Sequence, residues 1–224
     1  MTDIIYYTVL NYLLFNLAYY VPSLVLFVID YLNLFSENKI QRRFNPIDYY
    51  KKIYPTVLLN TLIFCIPGVA ILAYFESQVQ TPFTISRFLF DMITSLILTD
   101  ILFYSAHKLF HLPFLYKRFH KKHHQIIAPI GFSAIYMTVP DLYIGSIIPV
   151  YLPLILLQAH PLTISLWIVF TTANTVLISH SGFEGLSNFH DSHHLHFNKN
   201  FGINILMDKL FRTIHIPCRT LPKI

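Results

Sequence analysis

Charge is the scarcest commodity in this sequence. Only 12% of its 224 residues are Asp, Glu, Lys or Arg, about half the roughly 25% of an ordinary soluble domain. A chain of this length also lacks the interior to hide the 54% of residues that are apolar, 20 Phe and 15 Tyr among them. The composition excludes a soluble enzyme, and it excludes intrinsic disorder, which needs the opposite bias. Cysteine is nearly absent: Cys65 and Cys218 are far apart in sequence and fit neither a disulfide framework nor a thiolate metal spacing. There is no Asn-x-Ser/Thr sequon, tandem repeat or low-complexity linker. A net charge of +5 suits any polyanion, but no nucleic-acid motif accompanies it and membrane surfaces attract basic chains too. Nucleic acid is therefore set aside as a partner.

In place of charge the chain has long apolar runs. Residues 4–29 carry none. A span needs about 20 such residues and a cleaved leader's apolar region only about 7–15. Asp3 also stands where a leader would be basic, so the run reads as a span kinked at Pro22. Residues 56–75 form a second uncharged run, and 88–106 a third that includes Asp91 and Asp100. Acids inside a span face a protein interior or a functional site. Two further runs, 142–159 and 162–179, are divided by His160-Pro161, which predicts a hairpin of two spans or one re-entrant loop. The expected fold is an all-α integral membrane protein with three transmembrane helices plus a helical hairpin. Residues 1–87 would be a transmembrane region and 88–224 the part that carries the chemistry, in one functional unit.

Orientation follows from basic loops. Lys39, Arg42, Arg43, Lys51 and Lys52 fall in a polar stretch at 36–54, and Lys108, Lys117, Arg118, Lys121 and Lys122 in 107–124. The positive-inside rule puts both in the cytoplasm, and the hairpin returns the tail from His180 to that same face.

The histidines carry the chemical message. Nine of the twelve lie in two short windows, 107–124 and 190–196. His107 and His111 are four apart; His120, His123 and His124 read HxxHH, as do His190, His193 and His194. On a helix, positions i, i+3 and i+4 share one face, and imidazole is a good ligand for iron, zinc and copper. Eight imidazoles are too many for one tetrahedral zinc and suit two metal ions side by side. Any one of these motifs alone would as readily be a surface pair or a basic membrane-facing patch. HKLFH lacks the Glu that a metalloprotease HExxH requires.

These boxes, in this order around apolar runs, resemble the fatty acid hydroxylase/sterol desaturase superfamily. FLYKRFHKKHHQ (114–125), HPLT (160–163), SHSGFE (179–184) and HDSHHLHFNKNFGINILMDKLFRT (190–213) resemble that superfamily's further elements, and are most similar to cholesterol 25-hydroxylase-like members. The resemblance implies a membrane-bound, non-haem di-iron oxygenase. Two Fe ions would be held mostly by His, dioxygen would be the co-substrate, and electrons would come from an external donor such as cytochrome b5. No haem or flavin motif occurs in the chain itself. The substrate implied is a lipid C–H bond, a sterol before a fatty acyl chain, and the location is the endoplasmic reticulum. Desaturation and methyl oxidation occur on related scaffolds, and a metal transporter or a non-catalytic lipid-binding relative are the other classes open.

The ligands expected from the resemblance are His107, His111, His120, His123, His124, His190, His193 and His194, with His180 of HSGF as a ninth. His196 is open between a ligand and a supporting role. Asp191, Asn200 and Asp208 are candidates to accept the other ring N–H of a ligand, or to cap and shape loops. Asp100 either accepts from a ligand or supports the fold. His160 is expected to be structural, and no catalytic group beyond the metal ligands is named. One departure stands out: only 184–189 separate HSGF from HDSHH, a shorter stretch than the superfamily usually has, with Glu184 as a stand-in oxygen ligand or an exposed carboxylate.

Overall fold

The structure is a computed structural model and describes residues 2–40 and 46–215. Arg42, Arg43 and Cys218 lie outside the described residues. Four helices are long and apolar enough to cross a membrane: α1 (Thr2–Tyr31), α2 (Ile47–Glu76), α3 (Ile85–Phe110) and α5 (Pro161–Ser179). A shorter apolar helix, α4 (Asp141–Leu157), makes the hairpin with α5. Two short helices, α6 (Asn188–His196) and α7 (Ile205–Leu210), follow, and further short helical turns lie between α3 and α4. Among the described residues there is no strand, only one bridge between Lys39 and Phe183. The chain is an all-helical integral membrane protein.

Local chemistry sets the boundaries. Thr84 caps α3, its hydroxyl accepting from Arg87 N. Gln158 takes a left-handed conformation after α4, and Pro161 opens α5 from a His160 cap whose Nδ1 accepts from Leu162 N. His160 is thus a turn residue, as expected. The hairpin has one helix of spanning length and one shorter partner. The second span begins earlier than its uncharged run: Lys51 and Lys52 lie on α2, exposed, while Ile53 and Val57 on the same turns are buried. The long stems of Lys let a helix run through such positions while the ammonium stays in a polar layer.

Helix α1 packs on α2 and α5, and α3 on α4. Trp167, Tyr19, Leu72 and Leu154 are fully enclosed at the centre, with the Trp167 indole N–H donating to the Val150 carbonyl at 3.0 Å. Outside, Leu13, Leu17, Val21, Ile63, Ile93 and Phe170 are exposed, as lipid-facing helices require. His107 in the last turn of α3 and His180 directly after α5 bring the histidine-bearing segments to one end of the bundle.

Candidate metal centre

Nine imidazoles converge at that end in two groups. His107, His111, His120, His124 and His193 form one; His123, His180, His190 and His194 form the other. Within each group the candidate ligand atoms all lie within 4.8 Å of one another. The groups adjoin, with the rings of His124 and His194 4.6 Å apart. They are built from the end of α3, the turns at 116–125, the segment after α5, and α6. The HxxHH spacing acts as helical spacing does: the His120 and His124 Nε2 atoms are 3.1 Å apart, and those of His190 and His194 3.0 Å.

The outer ring nitrogens fix what the inner ones present. His107 Nδ1 donates to the Phe201 carbonyl at 2.8 Å, His193 Nδ1 to the Lys199 carbonyl at 2.6 Å, and His180 Nδ1 to the Thr175 carbonyl at 2.8 Å. His120 Nδ1 lies 2.8 Å from the carboxylate of Asp141. A neutral imidazole that donates from Nδ1 has only a lone pair at Nε2. His107 Nε2 and His120 Nε2 are 3.1 Å apart, and when His120 donates from Nδ1 to Asp141 no proton is left for that gap. Two lone pairs at that separation repel unless a cation lies between them. It is also about the spacing of two ring nitrogens each some 2.1 Å from a shared cation. Burial keeps the set neutral and ready to ligate: it pushes the His120 imidazole down to about 3 and that of His123 down to about 4, His120 adding to the effect on His123. Burial and then neighbouring histidines also lower His111, His124, His190, His193 and His194. The donors are all nitrogen, a set that suits iron, zinc or copper, and five exceed the four of a tetrahedral zinc.

The short 184–189 stretch does not keep its histidines apart, since His180 and His190 are joined at 3.1 Å through Nε2. Glu184 is exposed and belongs to neither group. His196 also lies outside both: it is exposed, its Nδ1 donates to the Ser192 carbonyl, and its ring lies tilted against that of His215, 4.6 Å between centroids. Asn200 acts through the backbone. Its amide donates to the Phe189 and His215 carbonyls and its oxygen accepts from His215 N, fixing the residue between the two carbonyls that hold His193 and His107. Asp208 accepts from Phe201 N and Gly202 N, and Asp100 from Asn204 N and Met207 N. Both carboxylates crowd Gly202, where an added Cβ would come within 2.7 Å of Asp100 and 2.9 Å of Asp208. Asp191 is buried with Oδ1 unpartnered, and burial pushes its carboxyl up to about 8.

A small cavity of about 50 Å³ touches both groups through His107, His120, His123, His180 and His190. It shares Phe103, Ala134, Met137, Ser146 and Thr175 with a larger one of about 170 Å³ that runs into the bundle past Leu142, Tyr151 and Trp167. An apolar chamber therefore ends at the histidines.

The model of the family Fatty acid hydroxylase matches residues 92–213, more than half of the chain. The chain belongs to the fatty acid hydroxylase family. All nine histidines of the two groups lie inside the stretch matched in this family member. Fatty acid hydroxylase domain-containing protein 2 of Homo sapiens is 32% identical over 193 residues, covering 81% of this chain and 58% of that protein. The very-long-chain aldehyde decarbonylase GL1-11 of Oryza sativa subsp. indica is 27% identical, over 84% of this chain and 76% of its own. The C-4 methylsterol oxidase erg25 of Schizosaccharomyces pombe is 27% identical, over 89% and 73%. The chain thus spans little more than half of the human relative. No solved structure matches it.

Sequence reasoning missed Asp141 in this family member. It lies just before the fourth apolar run and after Pro140, where an acid reads as an ordinary helix start. Its one distinguishing signal is to be the only carboxylate between the second histidine box and the hairpin. The three carbonyls of Thr175, Lys199 and Phe201 have no side-chain signature at all.

Proposed function

We propose that the protein is a membrane-bound di-iron oxygenase that hydroxylates a lipid C–H bond with dioxygen, with a sterol favoured as substrate in the manner of sterol 25-hydroxylases. The observation that carries this reading is the pair of adjoining, neutral, all-imidazole groups at the end of an apolar chamber. The five-histidine group would hold one iron and the four-histidine group the other. Bound iron supplies the capacity to reduce dioxygen and oxidise an unactivated C–H bond. The chain's own residues do the rest. The carbonyls of Phe201, Lys199 and Thr175, with Asp141, keep four Nε2 lone pairs turned inward. Phe103, Met137 and Ala134 form the junction between chamber and histidines and keep water from it. The apolar walls bind the lipid and present one carbon to that junction.

Exposed Lys108, Lys117, Arg118 and Lys121 surround the histidine end. They suit an acidic electron donor such as cytochrome b5 and a cytoplasmic, endoplasmic reticulum orientation. Fatty-acyl hydroxylation and sterol desaturation or methyl oxidation use the same parts. The test is to express wild type and His194→Ala in sterol-containing cells under isotopically heavy dioxygen and profile the lipids by mass spectrometry. A lipid made only by wild type and carrying one heavy oxygen is the expected result. A wild-type-only lipid short of two hydrogens identifies a desaturase instead, and identical profiles from two stable proteins with a donor present refute catalysis on those lipids.

A further inference from the structure

The end of the bundle away from the histidines holds a polar feature that the metal centre does not use. Glu76, the last residue of α2, is 1% exposed. Its Oε2 accepts from the Asn11 amide at 2.6 Å, and Asn11 Oδ1 lies 3.5 Å from Ser165 Oγ. Its Oε1 is buried without a partner. Among the described residues no Lys, Arg or His pairs with it. A buried carboxyl left with a bare oxygen is costly, and such a cost is met when a ligand completes the site. The space for one is present: Glu76 lines a cavity of about 210 Å³ walled by Leu72, Leu154, Ile155 and Ile164, with exposed Gln78 and Gln158 on its open side. Ile164 is in the first turn of α5 and His180 follows its last, so about 24 Å of helix separates the cavity from the metal centre.

The lining selects the ligand. It contains no basic side chain, so a phosphate or carboxylate head would meet no counter-charge beside Glu76. A hydroxyl donates to a carboxylate and accepts from a carboxylic acid, and so satisfies Oε1 in either protonation state, whereas an ammonium satisfies only one. The walls are apolar, and the mouth is at the end of two spanning helices, where a lipid's polar end resides. We propose that Glu76, held in place by Asn11, forms a binding site for the hydroxyl end of a neutral membrane lipid, whose apolar body lies against Leu72, Leu154 and Ile164. The site needs no metal and no dioxygen, so it stands apart from the oxygenase reading.

The test uses the full chain in phosphatidylcholine nanodiscs with a photoreactive cholesterol probe, mapping the labelled peptides by mass spectrometry. The competitors are cholesterol, the same hydrocarbon without its hydroxyl, and a long-chain alcohol. Saturable labelling of segments 72–79 and 154–164 is expected, with cholesterol competing about tenfold better than the hydrocarbon, the worth of one hydrogen bond to a buried polar group. Glu76→Leu abolishes the labelling, Glu76→Gln keeps most of it, and Ala159→Met, which fills the cavity while leaving Glu76 in place, abolishes it too. Competition by the alcohol widens the site to hydroxyl-bearing chains in general; its failure narrows the site to sterols. The thermal melt followed by circular dichroism serves as the folding control, and should Glu76→Leu fail it, the Ala159→Met and Glu76→Gln arms decide. Equal competition by the hydrocarbon, or unchanged labelling of a folded Glu76→Leu or Ala159→Met protein, overturns the proposal.

Discussion

Asp141 holds His120 from 21 positions away in the chain, at 2.8 Å from its Nδ1, and Gly145 makes room for it: an added Cβ there would come within 2.6 Å of the Asp141 carboxylate. Asp141→Ala is expected to weaken metal binding at the five-histidine group by about 10–100-fold while sparing the other. A metal titration of the variant checks this, and unchanged affinity would count against Asp141 as the residue that positions His120. The histidines themselves were legible because ligand chemistry and helical spacing are both written in HxxHH. Asp141 was not, because an acid at the start of an apolar run has an ordinary explanation, and its partnership with His120 exists only once the chain is folded. Asn200 and Asp208 were visible as candidates, but their route is through the backbone amides and carbonyls around Phe201, which no spacing announces. The neutral state of the buried ring set gives a pH prediction. Released imidazoles take protons from about 6.5 downward, whereas His123 in the fold resists until about 4. The folded state thus binds fewer protons over that window, and its stability falls as pH falls through it. The melting temperature of chelator-treated protein should be lower at pH 5 than at pH 7.5; equal values would mean the rings are not buried neutral.

At the scale of elements, the contact between the α1–α2 connection and the loop after α5 stands out. Lys39 Nζ pairs with Asp30 at 2.7 Å, donates to the Ser181 carbonyl at 2.9 Å and sits 4.0 Å over the Phe183 ring. Ile40 N donates to the Gly182 carbonyl, Glu184 N to the Asn38 carbonyl, and Tyr50 OH to Asp30. These contacts hold residues 38–40 against the segment that joins His180 to His190, and they come from a part of the chain outside the stretch matched by the family. Lys39→Met is expected to loosen the four-histidine group selectively, taking bound metal from two ions per chain toward one, with Lys39→Arg retaining more. Equal loss from both groups would indicate general misfolding instead. By hydropathy Lys39 reads as one of several loop cations that set orientation; only the fold shows its Nζ held by Asp30 and the Ser181 carbonyl. The same limit hid the start of α2, where Lys51 and Lys52 end the apolar run but not the helix. The spans were otherwise legible, because the length of an uncharged run is itself the physical requirement for crossing a bilayer.

At the scale of the whole molecule, residues before 88 reach into the part that carries the histidines. Tyr19 OH donates to the Phe132 carbonyl, and Asn60 donates to the carbonyls of Ile135 and Met137, beside the chamber. A fragment of residues 88–224 is therefore expected to bind less metal than the full chain in the same detergent, and a fragment with full occupancy would show that the two parts are separable. The proposed oxygenase requires two irons side by side, one in each histidine group. It is tested most directly by counting metal, by inductively coupled plasma mass spectrometry, in protein purified from iron-replete cells, alongside His193→Ala and His194→Ala. Two irons per wild-type chain and a fall toward one in each variant are expected. A wild-type chain with one metal ion or none, or with zinc in both groups, would contradict it.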